Sequence, residues 1–361
     1  MKDYDDAEVT IGSIGGILMN KYQELIVSVV ALRGDAYEIG FQQSNEVTTY
    51  AHLAQKEQLL ALSTACNVQQ VKELLLDCSP NLLQEMEGLA FGLEQSCETI
   101  IKMYSGYNMT FPNMGCTSFV HNGKYVRNYD FSPAMYDARL VFSKPSEGYA
   151  SVGFSQQIIG RLDGMNEKGL VVGLHFVNNE WAGDGFLATT IVRILLEQCG
   201  NIEEATALIN KLPHRYCYNY SMTDQSGKAI VVEATPMKRV NYVEHPLICT
   251  NHFESQQLAG RNKACIKGSK QRKNYINRYV ADARTTMSVY HHFNNGDSPL
   301  FVKQYQEYFG TLHTVIYSPK QLEIVVGIGE NCEPQSFSLQ QFIEGKRILP
   351  KTIKGNIIQA I

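Results

Sequence analysis

Asn122-Gly123 separates two runs of β-type residues, Cys116–His121 and Tyr125–Phe131, and this pair restricts the fold of the chain more tightly than any other feature. A two-residue hairpin loop takes positive φ at both positions, which Asn and Gly tolerate, so the flanking runs are expected to pair antiparallel in one fixed register. The texture of the chain also changes here. Upstream, the apolar run Leu25–Leu32 is closed by Arg33-Gly34, and Asp35 and Glu38 stand at capping-box spacing before a helical pattern. Asn67 with Gln70 opens a second helix, and Ser79-Pro80 opens a third with proline in its first turn. In the third, Leu82, Leu83, Met86, Leu89, Ala90 and Leu93 recur at helical spacing and read as core.

Downstream of Gly115 short strands alternate with turn residues. They are expected at Ala150–Phe154, at Ile158–Met165 up to a turn at Asn166-Glu167-Lys168-Gly169, and at Leu170–Phe176. A helical hairpin follows, Phe186–Cys199 ending on Gly200, then a helix capped by Asn201 and Glu204 that stops at Pro213. Strands resume at Tyr218–Thr223, Ala229–Ala234, Asn241–Val243 and Leu247–Asn251. A polar helical stretch from about Ser269 to Asp282 precedes a last hairpin, Leu312–Tyr317 with Gln321–Gly327. Helices before the sheet, helices between sets of hairpins and antiparallel strands throughout predict an α+β sandwich of sheets covered by helices.

Composition narrows the function. With 361 residues and 44% hydrophobic content, the chain can bury a large core. A net charge of -4 without any block of like charge leaves no electrostatic footprint for nucleic acid or an anionic membrane. The densest basic stretch, Lys267–Lys273, reads as a solvated helix start. The acidic start Met1–Glu8 lacks the apolar core of a signal peptide, and no run is long enough to span a bilayer, so a cytoplasmic protein is expected. Nine cysteines with no Cys-x-x-Cys pair argue against a disulfide framework or a zinc ribbon. Neither a metal nor a dissociable cofactor is implied: His291-His292 is the only histidine cluster, and no P-loop, Gly-x-Gly-x-x-Gly or Gly-x-Ser-x-Gly motif occurs.

The pair Gly115-Cys116 opens the hairpin. If the chain is cut between them, Cys116 becomes an N-terminus that carries a thiol nucleophile and an α-amino base in one residue. Taken alone, Cys116 reads as a small buried apolar residue, as most cysteines of a reduced protein are. Three further segments stand in order beside Gly115–Phe119: Val126-Arg127-Asn128-Tyr129-Asp130-Phe131, Gly164-Met165-Asn166-Glu167-Lys168-Gly169-Leu170 and Thr250-Asn251-His252-Phe253. With these the chain resembles the acyl-coenzyme A:6-aminopenicillanic acid acyltransferase family, relatives of the linear amide C–N hydrolases that include bile-salt hydrolase and penicillin V acylase.

The resemblance implies a four-layer αββα N-terminal nucleophile fold and self-cleavage before Cys116 by an N-to-S acyl shift. It makes Cys116 the nucleophile, Asp130 the carboxylate holding its new α-amino group, Arg127 the cation beside the thiol and Asn251 the oxyanion donor. Arg272 resembles a late supporting arginine, with Arg261 and Arg278 as competitors, and His175 stands where bile-salt hydrolase and penicillin V acylase carry an asparagine. Residues 1–115 would form a mainly helical prosegment that stays bound to the catalytic fragment 116–361, one integrated domain that could also form a homo-oligomer. The substrate would be a small acylated amine or amide, with an acyl-coenzyme A donor compatible with a transferase. Tyr104, Tyr107, Phe111 and the loop 178–185 lie where an acyl pocket or plain packing would place them. Strand periodicity puts Arg127 and Asp130 on opposite faces, so both reach Cys116 only through a bulge or a strand end. Two other readings stay open: an internal Cys-His thiol hydrolase with His175 or His252 as base, and a ligand-binding homologue without catalysis.

Overall fold

The Asn122-Gly123 turn forms as its residues dictate, with φ of 49° and 71°. It joins strands Gly115–His121 and Lys124–Phe131 in unbroken register from His121↔Lys124 to Gly115↔Asp130. This computed structural model describes residues 22–47, 50–112, 114–280, 283, 285–305, 309–346 and 349–358. The acidic start, Asn113 and Asp282 lie outside the described residues.

The hairpin sits in the smaller of two sheets. Its order is Leu247–Cys249, Gly115–His121, Lys124–Phe131, Phe309–Ser318, Glu323–Ile328 and Gln335–Ser338. The larger sheet runs from Arg239–Tyr242 through Ala229–Ala234, Cys217–Thr223, Val171–Asn178, Asp163–Asn166, Ser151–Gln156, Arg139–Pro145 and Tyr22–Gly34 to Thr352–Ile358. Helix Ala188–Gln198 covers the larger sheet, where its Leu196 closes on Gly164. Ile276 and Val280 of the π-helical turn Ile276–Val280, with Val289 and Phe293 of helix Thr286–Asn294, cover Phe119, Val126, Ile248 and Ile316 of the smaller. Helix, sheet, sheet and helix therefore stack in the expected αββα order.

One pairing departs from the antiparallel expectation. Tyr22–Gly34 lies parallel to Arg139–Pro145, because the chain leaves the first strand through five helices and the small-sheet hairpin before it returns, the long crossover a parallel pair needs. The Ile158–Met165 strand is divided into Gly160–Arg161 and Asp163–Asn166, after positive φ at Gln157 and Ile158. Helices Tyr50–Leu62 and Thr286–Asn294, strand Arg139–Pro145, and the end of the chain, Gln335–Ser338, Leu339–Ile343 and Thr352–Ile358, add to the elements read from sequence.

Local rules are obeyed where they were read. Asp35 and Glu38 exchange backbone-to-side-chain bonds of 2.9 and 2.8 Å at the start of helix Ala36–Val47. The Asn166 side chain accepts from the Lys168 and Leu170 amides and donates to the Leu196 and Cys199 carbonyls, so the Gly-Met-Asn-Glu-Lys-Gly segment ties a turn to the covering helix. The helices before Gly115 are held by more than apolar contact. Glu85, buried in helix Pro80–Gly92, pairs with Arg193 at 2.6 Å and accepts from Gln43 at 2.6 Å, while Glu197 takes the other Arg193 nitrogen. Removing one partner of a buried pair leaves a desolvated charge, so Glu85→Ala is expected to lower stability by about 3 kcal/mol in urea unfolding. A change below about 1 kcal/mol would show the contact to be incidental.

Candidate functional site

Alternation along the hairpin aims Cys116, Ser118, Arg127 and Tyr129 at the larger sheet. The Arg127 guanidinium reaches across the interface. Its Nη2 donates to Cys116 Sγ at 2.9 Å and to the Leu174 carbonyl at 2.8 Å, and its Nη1 donates to Asp163. Asp163 also accepts from the Tyr317 hydroxyl at 2.5 Å and lies 3.6 Å from His313 Nε2, whose ring bonds Tyr136 through Nδ1 at 2.8 Å. Cys116, Arg127, Asp163, His313 and Tyr317 are all fully buried.

Burial pushes the Cys116 thiol up to about 12; Arg127 opposes this, and Asp130 and Asp163 add to it. In the intact chain the sulfur is therefore a protonated thiol. Burial disfavours the Arg127 cation, and the ionised Asp163 at its Nη1 opposes this and keeps the charge. The Asp163 carboxyl is held below its ordinary range although burial raises it, because Arg127, His313 and Tyr317 prevail.

The backbone of Cys116 is fixed from the sheet edge. Strand Leu247–Cys249 ends opposite Ser118, so the Cys116 amide finds no strand carbonyl there. Asn251 continues the register past the strand end and takes that amide on Oδ1 at 2.9 Å. Arg272 Nη2 donates to the same Oδ1 at 2.6 Å, and its Nε donates to Thr117 Oγ1 at 2.8 Å. Arg272 thus reaches the site, whereas Arg261 stacks on Trp181 and Arg278 lies beside Tyr279. Asn251 Nδ2 donates to the Phe176 carbonyl at 2.9 Å, and the Asn251 amide donates to Ser269 at 2.8 Å.

Asp130 approaches on the other face, opposite Gly115, at the first pair of the hairpin. Arg127 and Asp130 need no bulge in their own strand: one meets the sulfur and the other meets the preceding residue, across a strand end. Asp130 Oδ1 accepts from Thr311 at 2.6 Å, while Oδ2 is buried without a hydrogen-bond partner. Burial raises the Asp130 pKa, with Arg272 and Thr311 pulling it back. Gly115 is required by space: a Cβ there would stand 2.2 Å from the Phe309 ring and 2.9 Å from Asp130 Oδ2.

His175 points between the sheets, with Nε2 3.1 Å from Ser118 and 2.8 Å from Ser221, and Tyr125 completes the network at 2.6 Å from Ser221. Burial and the nearby Arg127 hold this ring neutral. His252 binds Thr250 and Ser269 through Nδ1 and Glu254 through Nε2. Of these groups, Arg127 bonds the thiol and the two histidines bond elsewhere. Phe111 stacks on Phe131 and, with Met114, Leu174, Phe176 and Tyr218, lines a small apolar cavity; Tyr104 lines a neighbouring one, and Tyr107 packs edge-on against Phe186. Asp163 was not read from the sequence. Its position beside the Gly164–Leu170 segment was the available signal, and its contact with Arg127 crosses from one sheet to the other. Among the described residues, no group of three or more His, Cys, Asp or Glu side chains is placed to hold a metal ion, and no helix is long and apolar enough to cross a membrane.

A family model for acyl-coenzyme A:6-aminopenicillanic acid acyl-transferase matches residues 120–332, more than half of the chain. The chain belongs to this family. It is accordingly an enzyme of the amidohydrolase and acyltransferase class, as its motifs implied. The acyl-transferase match spans Arg127, Asp130, Asp163, His175, Asn251 and Arg272 and begins four residues after Cys116. No curated protein matches the chain. Among solved structures, it is similar to conjugated bile acid hydrolase from Clostridium perfringens, with 13% identity, 63% of this chain and 93% of that one covered, and a TM-score of 0.48. Penicillin V acylase from Agrobacterium tumefaciens gives 14% identity, 63% and 86% coverage, and a TM-score of 0.43. The Caenorhabditis elegans N-acylethanolamine-hydrolyzing acid amidase ortholog gives 9% identity, 57% and 93% coverage, and a TM-score of 0.39.

The packing around Gly115 can be tested apart from any chemistry. In a Cys116→Ala background, Gly115→Ala is expected to cost about 2 kcal/mol through overpacking. Thermal unfolding would register this as a drop of several degrees, and an unchanged midpoint would show that Phe309 yields freely.

Proposed function

We propose that this acyl-transferase family member is a self-cleaving cysteine enzyme that cuts Gly115–Cys116 and then carries acyl groups on Cys116. The observation that carries the reading is the clamp on Cys116: a guanidinium on its sulfur, an asparagine that Arg272 holds in place on its amide, and a buried carboxylate with a free oxygen opposite Gly115.

In the first step Sγ attacks the Gly115 carbonyl carbon and its proton passes to the departing Cys116 nitrogen. The C–N bond breaks as the C–S bond forms. Water then hydrolyses the thioester, leaving a Gly115 carboxylate and a Cys116 that bears both thiol and α-amino group. Asp130 Oδ2 stands ready to accept a hydrogen bond from that amino group, which becomes the general base for the thiol. Asn251 Nδ2, which donates to the Phe176 carbonyl in the intact chain, is the donor this side chain would turn to a developing oxyanion. A small linear amide would transfer its acyl group to the sulfur and release its amine. Water as second acceptor makes the enzyme a hydrolase, and an amine makes it a transferase.

Residues 1–115 would remain bound to fragment 116–361, since Glu85 and Arg193 join the two through a buried pair. The internal Cys-His alternative is disfavoured because the thiol is bonded by Arg127, while His175 is bonded to hydroxyls. Nine unpaired cysteines suit a reducing compartment, and the cytoplasm is the proposed location.

The test is to trap the acyl-enzyme. Incubation with a panel of acylated amines is expected to add one acyl mass, removable by hydroxylamine, to a fragment that begins at Cys116. Cys116→Ala should lower turnover at least about 10⁴-fold. An acyl group on another residue, or turnover that survives the substitution, overturns the proposal.

A further inference from the structure

We propose that Asp163 is a positioning residue of this reaction: from the facing sheet it holds the Arg127 guanidinium with Nη2 on the Cys116 sulfur and tempers the charge that reaches the sulfur. The proposal rests on Cys116 being the nucleophile.

An arginine presents its donors as a rigid fork, so fixing one nitrogen aims the other. Here Nη1 is taken by Asp163, and Nη2 is shared between Sγ and the Leu174 carbonyl. Nε has no hydrogen-bond partner, so these bonds, with the Tyr129 ring 5.3 Å away, set the orientation. Asp163 is immobilised in turn, because Tyr317 donates to Oδ1 and His313 lies against Oδ2. The pair also crosses the molecule, with Arg127 on the smaller sheet and Asp163 on the larger. A shift of one sheet against the other would therefore move the guanidinium on the sulfur.

The charges around the thiol give the role a sign. Arg127 and Tyr129 face it from its own hairpin, Asp163 and His175 from the facing sheet, and Asp130 and Arg272 from across the backbone. Arg127 favours thiolate and Asp163 opposes it. Removing the Asp163 charge while keeping its shape should make the sulfur easier to ionise and, by releasing the guanidinium, make it slower in acyl transfer. A group that merely supports the fold would slow the reaction without shifting the titration.

Intact mass first establishes that the wild type is cut and begins at Cys116; failure there sinks the underlying reading and not this inference. The rate of iodoacetamide alkylation at Cys116 is then followed against pH by peptide mass mapping, beside turnover of an acyl amide. Asp163→Asn is expected to move the alkylation midpoint down by about one pH unit while turnover falls at least about tenfold. Asp163→Glu keeps the charge but displaces the fork, so its midpoint should not move down while turnover falls similarly. An Asp163→Asn enzyme with the wild-type midpoint overturns the inference. If that variant does not fold, Asp163→Glu decides: full turnover, or a midpoint moved down, overturns it.

Discussion

The contact between Arg127 and Asp163 ties the chemistry of this chain to its architecture. Burying both ions takes each out of water, and such a pair contributes little net stability unless the remaining donors and acceptors are also satisfied. Here Leu174, Tyr317 and His313 meet most of that need, yet Arg127 Nε stays unpaired. The arrangement is better understood as the means of keeping a fixed cation against a sulfur whose ionisation burial opposes. Two sheets with apolar inner faces can slide past one another. An ion pair that bridges them beside Cys116 removes that freedom at the proposed nucleophile.

On the proposed reading, one strand end would serve two operations. The sulfur of Cys116 lies on the inner face with Arg127, and the residue before it lies against Asp130, so the peptide between Gly115 and Cys116 is held from both sides. Asn251 and Arg272 fix its nitrogen from the sheet edge. Cleavage would therefore alter little except the peptide itself: the nitrogen gains protons, and a carboxylate with an unused oxygen stands one residue away, at Gly115.

Much of this was legible in the sequence because the relevant signals are local. The Asn122-Gly123 turn sets the register of the central hairpin, and the Asp35 and Glu38 pair caps the first helix as its spacing requires. Motif resemblance marked Cys116, Arg127, Asp130, Asn251 and Arg272, which converge on one peptide. What escaped depends on long-range pairing. Thr352–Ile358 becomes a strand by pairing with Tyr22–Gly34 at the other end of the chain, and Arg139–Pro145 forms a strand beside it. Asp163 looks like any strand-end aspartate until the sheets are stacked. His175 gave no local cue that it would bond hydroxyls of both sheets and leave the thiol alone.

The most direct measurement is intact-mass spectrometry of the purified protein beside Cys116→Ala. The wild type is expected to resolve into fragments of 115 and 246 residues, the second starting at Cys116, and the variant to stay whole. A single 40.5 kDa chain from both, even after prolonged incubation, would contradict the account.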